Sequence, residues 1–306
     1  MHDSHTIFRK IAEDERQITV HLLNKGATIA GITLSGFGVH SQSDVLLSYP
    51  IPMEFDSDPY YLRATVGRVA NRLIYGCFDL PNRNHAVEIN ESARSNVLHG
   101  GSNGRYQQTY QASPTNADNA VVFSLVLPHL ADGFPGDRLI TVRYELLEGL
   151  GLQFDFAAST DRITIMNLAN YAYFNLGGLL SEHGLRLNAG HCTPVNARLI
   201  PTDELAPLKG SALDYSDWKA LRDTAIDHNF VLPEDGELRR AASPRLRTTQ
   251  LQLDVLTTQP ALQVYTGDGL NTPFAPRSGI FLEAQGFPDA HNQTNFPNIT
   301  CESGAT

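Results

Sequence analysis

The chain has 306 residues, 42% of them hydrophobic and 18% charged, which suits a soluble globular protein with a large core and excludes a disordered one. A formal net charge of −10, with no dense run of Lys and Arg, excludes nucleic-acid binding by phosphate neutralisation and disfavours an anionic membrane as partner. No apolar run approaches the roughly 18 residues of a membrane span, Met1–Thr6 lacks the basic-then-apolar pattern of a secretory signal, and a cytoplasmic address is the expectation.

Period-two alternation dominates from the start. Ile18–Leu22 and Thr28–Leu34 read as strands that hide one face, followed by Ala120–Leu127, Leu139–Leu146, Leu152–Ala158, Arg162–Leu168, Leu251–Thr257 and Leu262–Tyr265. Gly, Pro, Asn and Asp clusters separate them, as in Asp132–Asp137 and Pro233–Gly236. The best helical candidate is short, at Trp218–Arg222, and a turn is expected near Asn175–Leu180. The pattern predicts an all-β, mostly antiparallel architecture that closes or stacks its sheets to bury their edges. With no internal repeat and no linker, residues 1–306 read as one domain.

Several chemistries are absent as motifs: no GxSxG elbow, no phosphate-binding glycine loop, no GxGxxG opening a helix, no HExxH. Cys77, Cys192 and Cys301 are odd in number and far apart, so neither a disulfide framework nor a paired-Cys metal site is expected, and the scattered His give no reason to propose a metal. Polar residues gather instead in loops with apolar flanks. In Gly67–Leu73 two Arg straddle a short apolar turn; they are either surface charges, or Arg72 and Asn71 reach into a cleft and donate to hydroxyl oxygens. His99 precedes Gly100-Gly101, where the backbone allows a ligand close, though a structural His fits equally.

Asn167–Gly178 is dense in Asn and aromatics, Asp227 enters an apolar segment, and alternation puts Gln263 and Tyr265 on one face of a strand. Glu283 follows the strand-like Ser278–Leu282 and precedes the turn residues Phe287-Pro288-Asp289. It is therefore expected at a strand end, facing solvent or a cleft, where a carboxylate is a candidate general base. Hydroxyl binders, aromatic platforms and one carboxylate together suit a neutral polyhydroxylated ligand such as a sugar.

In this order, Gly67–Arg72, Asn96–Gly101, Asp132–Gly136, Tyr173–Gly178, Leu199–Thr202, Asp227–Phe230 and Leu282–Ala290 resemble the aldose 1-epimerases, or galactose mutarotases, over nearly the whole chain. The resemblance implies a galactose mutarotase-like antiparallel β-sandwich (a supersandwich) with a sugar cleft and no cofactor. It implies that Glu283 is the base that takes the anomeric hydroxyl proton, and that Arg72, His99, Asp227 and Gln263 bind the sugar hydroxyls and ring oxygen. A family His would protonate the ring oxygen, so that the ring opens and recloses on the other carbonyl face.

At that His the chain departs from the family, because Asn167-Leu168-Ala169-Asn170 is followed by Tyr171. An unperturbed phenol has a pKa of about 10 against about 6.5 for imidazole, a difference worth ~4.8 kcal/mol of intrinsic acidity. Either Tyr171, its pKa lowered by a cation such as Arg72, or His99 is then the acid. The expected function is anomer interconversion of a hexose or related hemiacetal. Two alternatives remain: a sugar-binding or regulatory protein that has lost turnover, and a relative recruited to isomerise or cyclise a non-sugar substrate in a biosynthetic pathway.

Overall fold

The computed structural model describes residues 3–10, 15–36, 43–49, 55, 58–81, 83–115, 118–233 and 237–304, and strands dominate it. Two four-stranded antiparallel sheets open the architecture: Ser4–Lys10, Gln17–Leu23, Thr28–Ser35 and Ser43–Asp44 form one, and Gln111–Pro114, Ala120–Leu127, Arg138–Leu146 and Leu152–Thr160 the other. Alternate residues explain their packing. Val121, Phe123, Leu125 and Leu127 share a core with Ile140, Val142, Tyr144 and Leu146, and with Ile18, Val20 and Leu22 of the first sheet. Each such side chain, fully buried, contributes about 1.5–3 kcal/mol.

A six-stranded antiparallel sheet follows, in the spatial order Tyr173–Phe174, Ile280–Gln285, Ala261–Tyr265, Asp227–Val231, His191–Thr193 and Ala206–Pro207. One of its faces, carrying Phe230, Leu262, Val264, Ile280 and Leu282, packs with Leu185, Leu187 and Ala242 of a further sheet built on Gly184–Leu187 and Arg239–Leu246. Sheet-on-sheet packing thus recurs, and the expected all-β sandwich is what forms.

Three local expectations are corrected. Arg162–Leu168 is a strand only at Thr164–Ile165, because Asn167 turns its amide to the backbone of Gly286, accepting from its N–H at 2.8 Å and donating to its C=O at 3.3 Å. Leu251–Thr257 splits into Leu251–Gln252 and Val255–Thr257, since the partner strand carries Pro244, which has no N–H to donate. At Trp218–Arg222 no helix forms; Lys219–Ala220 pairs with Gly184-Leu185, and five residues are too few to repay helix nucleation without packing. Of the Pro233–Gly236 cluster, residues 234–236 lie outside the described residues.

Candidate active site

The second face of the six-stranded sheet is polar. Register places Thr193, Asn229, Gln263 and Glu283 side by side along one rung, and Asp227, Tyr265, Phe281 and Tyr173 along the next, on the same face. Strand pleating alone therefore gathers the carboxylate, two amides and two phenols from segments more than a hundred residues apart. Gln263 and Tyr265 do share a face, as alternation predicts.

Glu283 is not at a strand end. Pairing runs on through Ala284 and Gln285, opposite Leu262 and Ala261, so the carboxylate sits inside the strand Ile280–Gln285 and is 0% exposed. Neither of its oxygens has a hydrogen-bond partner. Burial, and then the nearby Asp227 charge, push its pKa well above the usual carboxylate range. A buried carboxylate that no donor holds is a strong proton acceptor once ionised.

The groups beside it are ordered by one another. Asn71 Nδ2 donates to Gln263 Oε1 at 3.3 Å, and Gln263 Nε2 donates to Asp227 Oδ1 at 2.7 Å. Asn71 N–H also donates to His99 Nδ1 at 3.2 Å, while His99 N–H returns to the Asn71 carbonyl at 2.9 Å. Both residues have left-handed backbones, φ 61° and 51°, which Asn and His tolerate better than most. The next residue must be Gly: a Cβ at Gly100 would lie 2.3 Å from the Gly67 carbonyl oxygen. Burial, reinforced by the Arg72 charge, lowers the His99 pKa to about 3. The ring is therefore neutral near pH 7, and with Nδ1 accepting, Nε2 carries the proton.

Tyr171 is partly exposed and is wedged among rings, 3.8 Å between centroids from Phe281, 4.8 Å from His99 and 5.7 Å from Tyr173. Its pKa is not lowered by Arg72. Burial, the neighbouring Tyr173 and the negative charges of Glu283 and Asp227 drive it well above 10. Arg72 is engaged elsewhere: its Nε donates to Glu91 Oε2 and its Nη2 to Glu91 Oε1, each at 3.0 Å.

The two Arg of the Gly67–Leu73 loop have different fates. Arg68 is fully buried, its guanidinium bonded to Asp132, which also receives Arg105 at 2.7 Å and Arg138 at 3.2 Å. Burial opposes the Asp132 charge, but three guanidiniums outweigh it and hold the carboxyl below its ordinary value. This cluster anchors the loop that presents Asn71 and Arg72.

Some site residues escaped sequence reading. Gln285, whose Nε2 donates to Asn229 Oδ1 at 3.3 Å, stands two residues past Glu283 on the same face, so alternation was the signal that pointed to it. Tyr61, 4.7 Å from the His99 ring and 5.8 Å from Tyr171, and Glu91 lie outside any recognisable motif. Among the described residues, no three His, Cys, Asp or Glu side chains are grouped to hold a metal ion, and no helix is long and apolar enough to cross a membrane.

A sandwich of sheets with an unpaired carboxylate, ordered amides and phenols on one sheet face places the chain in the class of all-β proteins with a polar sheet face. Comparison narrows the class: residues 11–306 match the family model for aldose 1-epimerase. A galactose mutarotase from Sus scrofa is 33% identical, over 94% of this chain and 88% of its own length, and an aldose 1-epimerase from Escherichia coli (strain K12) is 30% identical, over 93% and 87%. The solved structure of a galactose 1-epimerase from Lactobacillus acidophilus NCFM superposes with a TM-score of 0.81 at 25% identity, covering 99% of this chain and 95% of that one. An aldose epimerase homologue from C. elegans shares the fold with a TM-score of 0.89 at 24% identity, over 99% and 95% of the two chains. The chain belongs to the aldose 1-epimerase family and is an isomerase.

Proposed function

We propose that the chain interconverts the anomers of a neutral hexose, or a closely related cyclic hemiacetal, by acid–base ring opening and closure. The observation that carries this reading is Glu283: wholly buried, with both oxygens unpartnered, on the sheet face where Gln263 and Asp227 are hydrogen-bonded in a row with Asn71 of the adjoining loop, groups suited to bind hydroxyls. Ionised Glu283 takes the anomeric hydroxyl proton, and Tyr171 gives its phenol proton to the ring oxygen. His99, neutral and with its proton on Nε2, donates a hydrogen bond to the sugar, as do Arg72 and Asn71.

The two raised pKa values make sense together. Glu283 is among the charges that disfavour a Tyr171 phenolate, but that repulsion lapses once Glu283 has accepted the substrate proton. The pair then carries one negative charge before ring opening and one after it, so the phenol yields its proton most readily in concert with the base. After rotation about C1–C2 the steps reverse on the other carbonyl face. Polarimetry of freshly dissolved α-galactose or α-glucose tests the proposal: decay of optical rotation faster than the spontaneous rate supports it, and an unchanged rate at enzyme excess refutes turnover.

One feature favours a second reading. The Tyr171 ring packs 5.7 Å from that of Tyr173, and burial with its Tyr173, Glu283 and Asp227 neighbours holds its proton firmly, which makes it a poor acid and suits a sugar-binding or regulatory protein. Binding of the sugar without acceleration would select that reading. A non-sugar hemiacetal that turns over while hexoses do not would instead point to recruited chemistry.

A further inference from the structure

Glu91 lies outside every motif that carries the family resemblance, yet its carboxylate is the fixed point of the Arg72 guanidinium. Arg72 meets it side-on through Nε and Nη2. The two side chains are 16% and 12% exposed, so solvent screens the pair only in part. Glu91 is itself held from two further directions: Asn96 Nδ2 donates to Oε2 at 2.9 Å and Arg94 Nη1 to Oε1 at 3.1 Å. Asn96 is 0% exposed, pairs opposite Ile74 in the two-stranded sheet that begins at Arg72, and its Nδ2 also donates to the Arg198 carbonyl at 2.9 Å. Burial works against the Glu91 charge, but Arg72, Asn96 and Arg94 outweigh it and keep the group ionised.

We propose that Glu91 is a positioning residue for substrate binding: it locks the Arg72 guanidinium side-on through Nε and Nη2, so that Nη1 is the nitrogen offered to a sugar oxygen. An Arg side chain left free would lose rotamer freedom each time a ligand bound; here that ordering is built in before the sugar arrives. The anchor and the fork share one strand pair, because Asn96, which holds Glu91, lies on the strand opposite Arg72–Ile74. Glu91 touches no substrate in this scheme and acts only through Arg72. The inference rests on the reading of Arg72 as a sugar ligand.

A double-mutant cycle read by polarimetric kcat and KM decides it. Arg72→Ala should raise KM about 10- to 100-fold, the range for losing one hydrogen bond from a charged donor. Glu91→Ala should raise KM roughly 5- to 10-fold with kcat within about twofold, and Glu91→Asp should recover part of the loss. The double variant should match Arg72→Ala within about twofold, because a residue that acts through another adds nothing once that partner is gone. If Glu91→Ala folds poorly, Glu91→Gln supplies the same cycle with less disruption. KM effects that multiply in the double variant, or a Glu91→Ala change in melting temperature and kcat with KM untouched, overturn the inference alone. No KM change in Arg72→Ala, or no turnover by the unaltered chain, overturns the sugar reading and the inference with it.

Discussion

Asp132 and Glu283 both have buried carboxylates, and their surroundings push their protonation in opposite directions. Asp132 is enclosed by Arg68, Arg105 and Arg138, and its pKa is held low; Glu283 faces no cation, has Asp227 nearby, and its pKa is held high. Burial alone does not decide what an acidic group does. A carboxylate taken out of water is held ionised where donors converge on it, and held protonated to a higher pH where they are withheld.

The sharpest way to break the comparison is to neutralise each group. Glu283→Gln should slow anomer interconversion by about 10³-fold or more, within the range for removing a general base, while melting temperature holds or rises because a buried ionisable group has gone. Retention of full activity would dismiss Glu283 as the base. Asp132→Ala should do the reverse, costing about 3–5 kcal/mol in urea unfolding because three buried guanidiniums lose their counter-ion.

Tyr171→Phe tests the other half of the acid–base pair. A loss of about 10- to 100-fold in kcat with KM little changed identifies the phenol as proton donor. An unchanged kcat would hand the role to His99. Tyr171→His, restoring the family residue, should exceed the parent rate.

The smallest effect is a pair of opposite pH slopes. The folded state holds the Glu283 proton to a higher pH than the unfolded chain, so this residue lowers stability progressively as pH rises past about 4.3, by at most ~1.4 kcal/mol per pH unit. Asp132 is ionised more readily when folded; its contribution is intact above about 3.9 and is lost as pH falls through its lowered value. Urea unfolding from pH 3 to 8 should therefore show Glu283→Gln gaining on the parent toward alkaline pH. Parallel curves for the two chains would show that Glu283 is not perturbed.

Much of this was legible in the sequence, for a physical reason. Alternation at Ala120–Leu127 and Leu139–Leu146 reports a buried face directly, and both strands form. The candidate positions Glu283, Gln263, Asp227, Asn71 and His99 lie in segments that the sequence singles out, and the fold brings them together. What could not be read were partners set by tertiary contact. Nothing local says that Arg68 would be buried against Asp132, that Arg72 would turn to Glu91, or that the surroundings of Tyr171 would raise rather than lower its pKa. Where local rules misled, as at Trp218–Arg222 and Arg162–Leu168, pairing with a distant strand or an Asn side chain overrode them.

Along the six-stranded sheet the polar face carries Tyr173, Thr193, Asp227, Asn229, Gln263, Tyr265, Phe281, Glu283 and Gln285, all odd-numbered, whereas the core face carries the even-numbered Phe230, Leu262, Val264, Ile280 and Leu282. Under the proposed function, ligand preference and foldability are carried by interleaved, separable positions of the same strands. A mutant library restricted to odd positions would explore new specificities while leaving the hydrophobic layer intact, and drift at even positions would go unnoticed by the ligand.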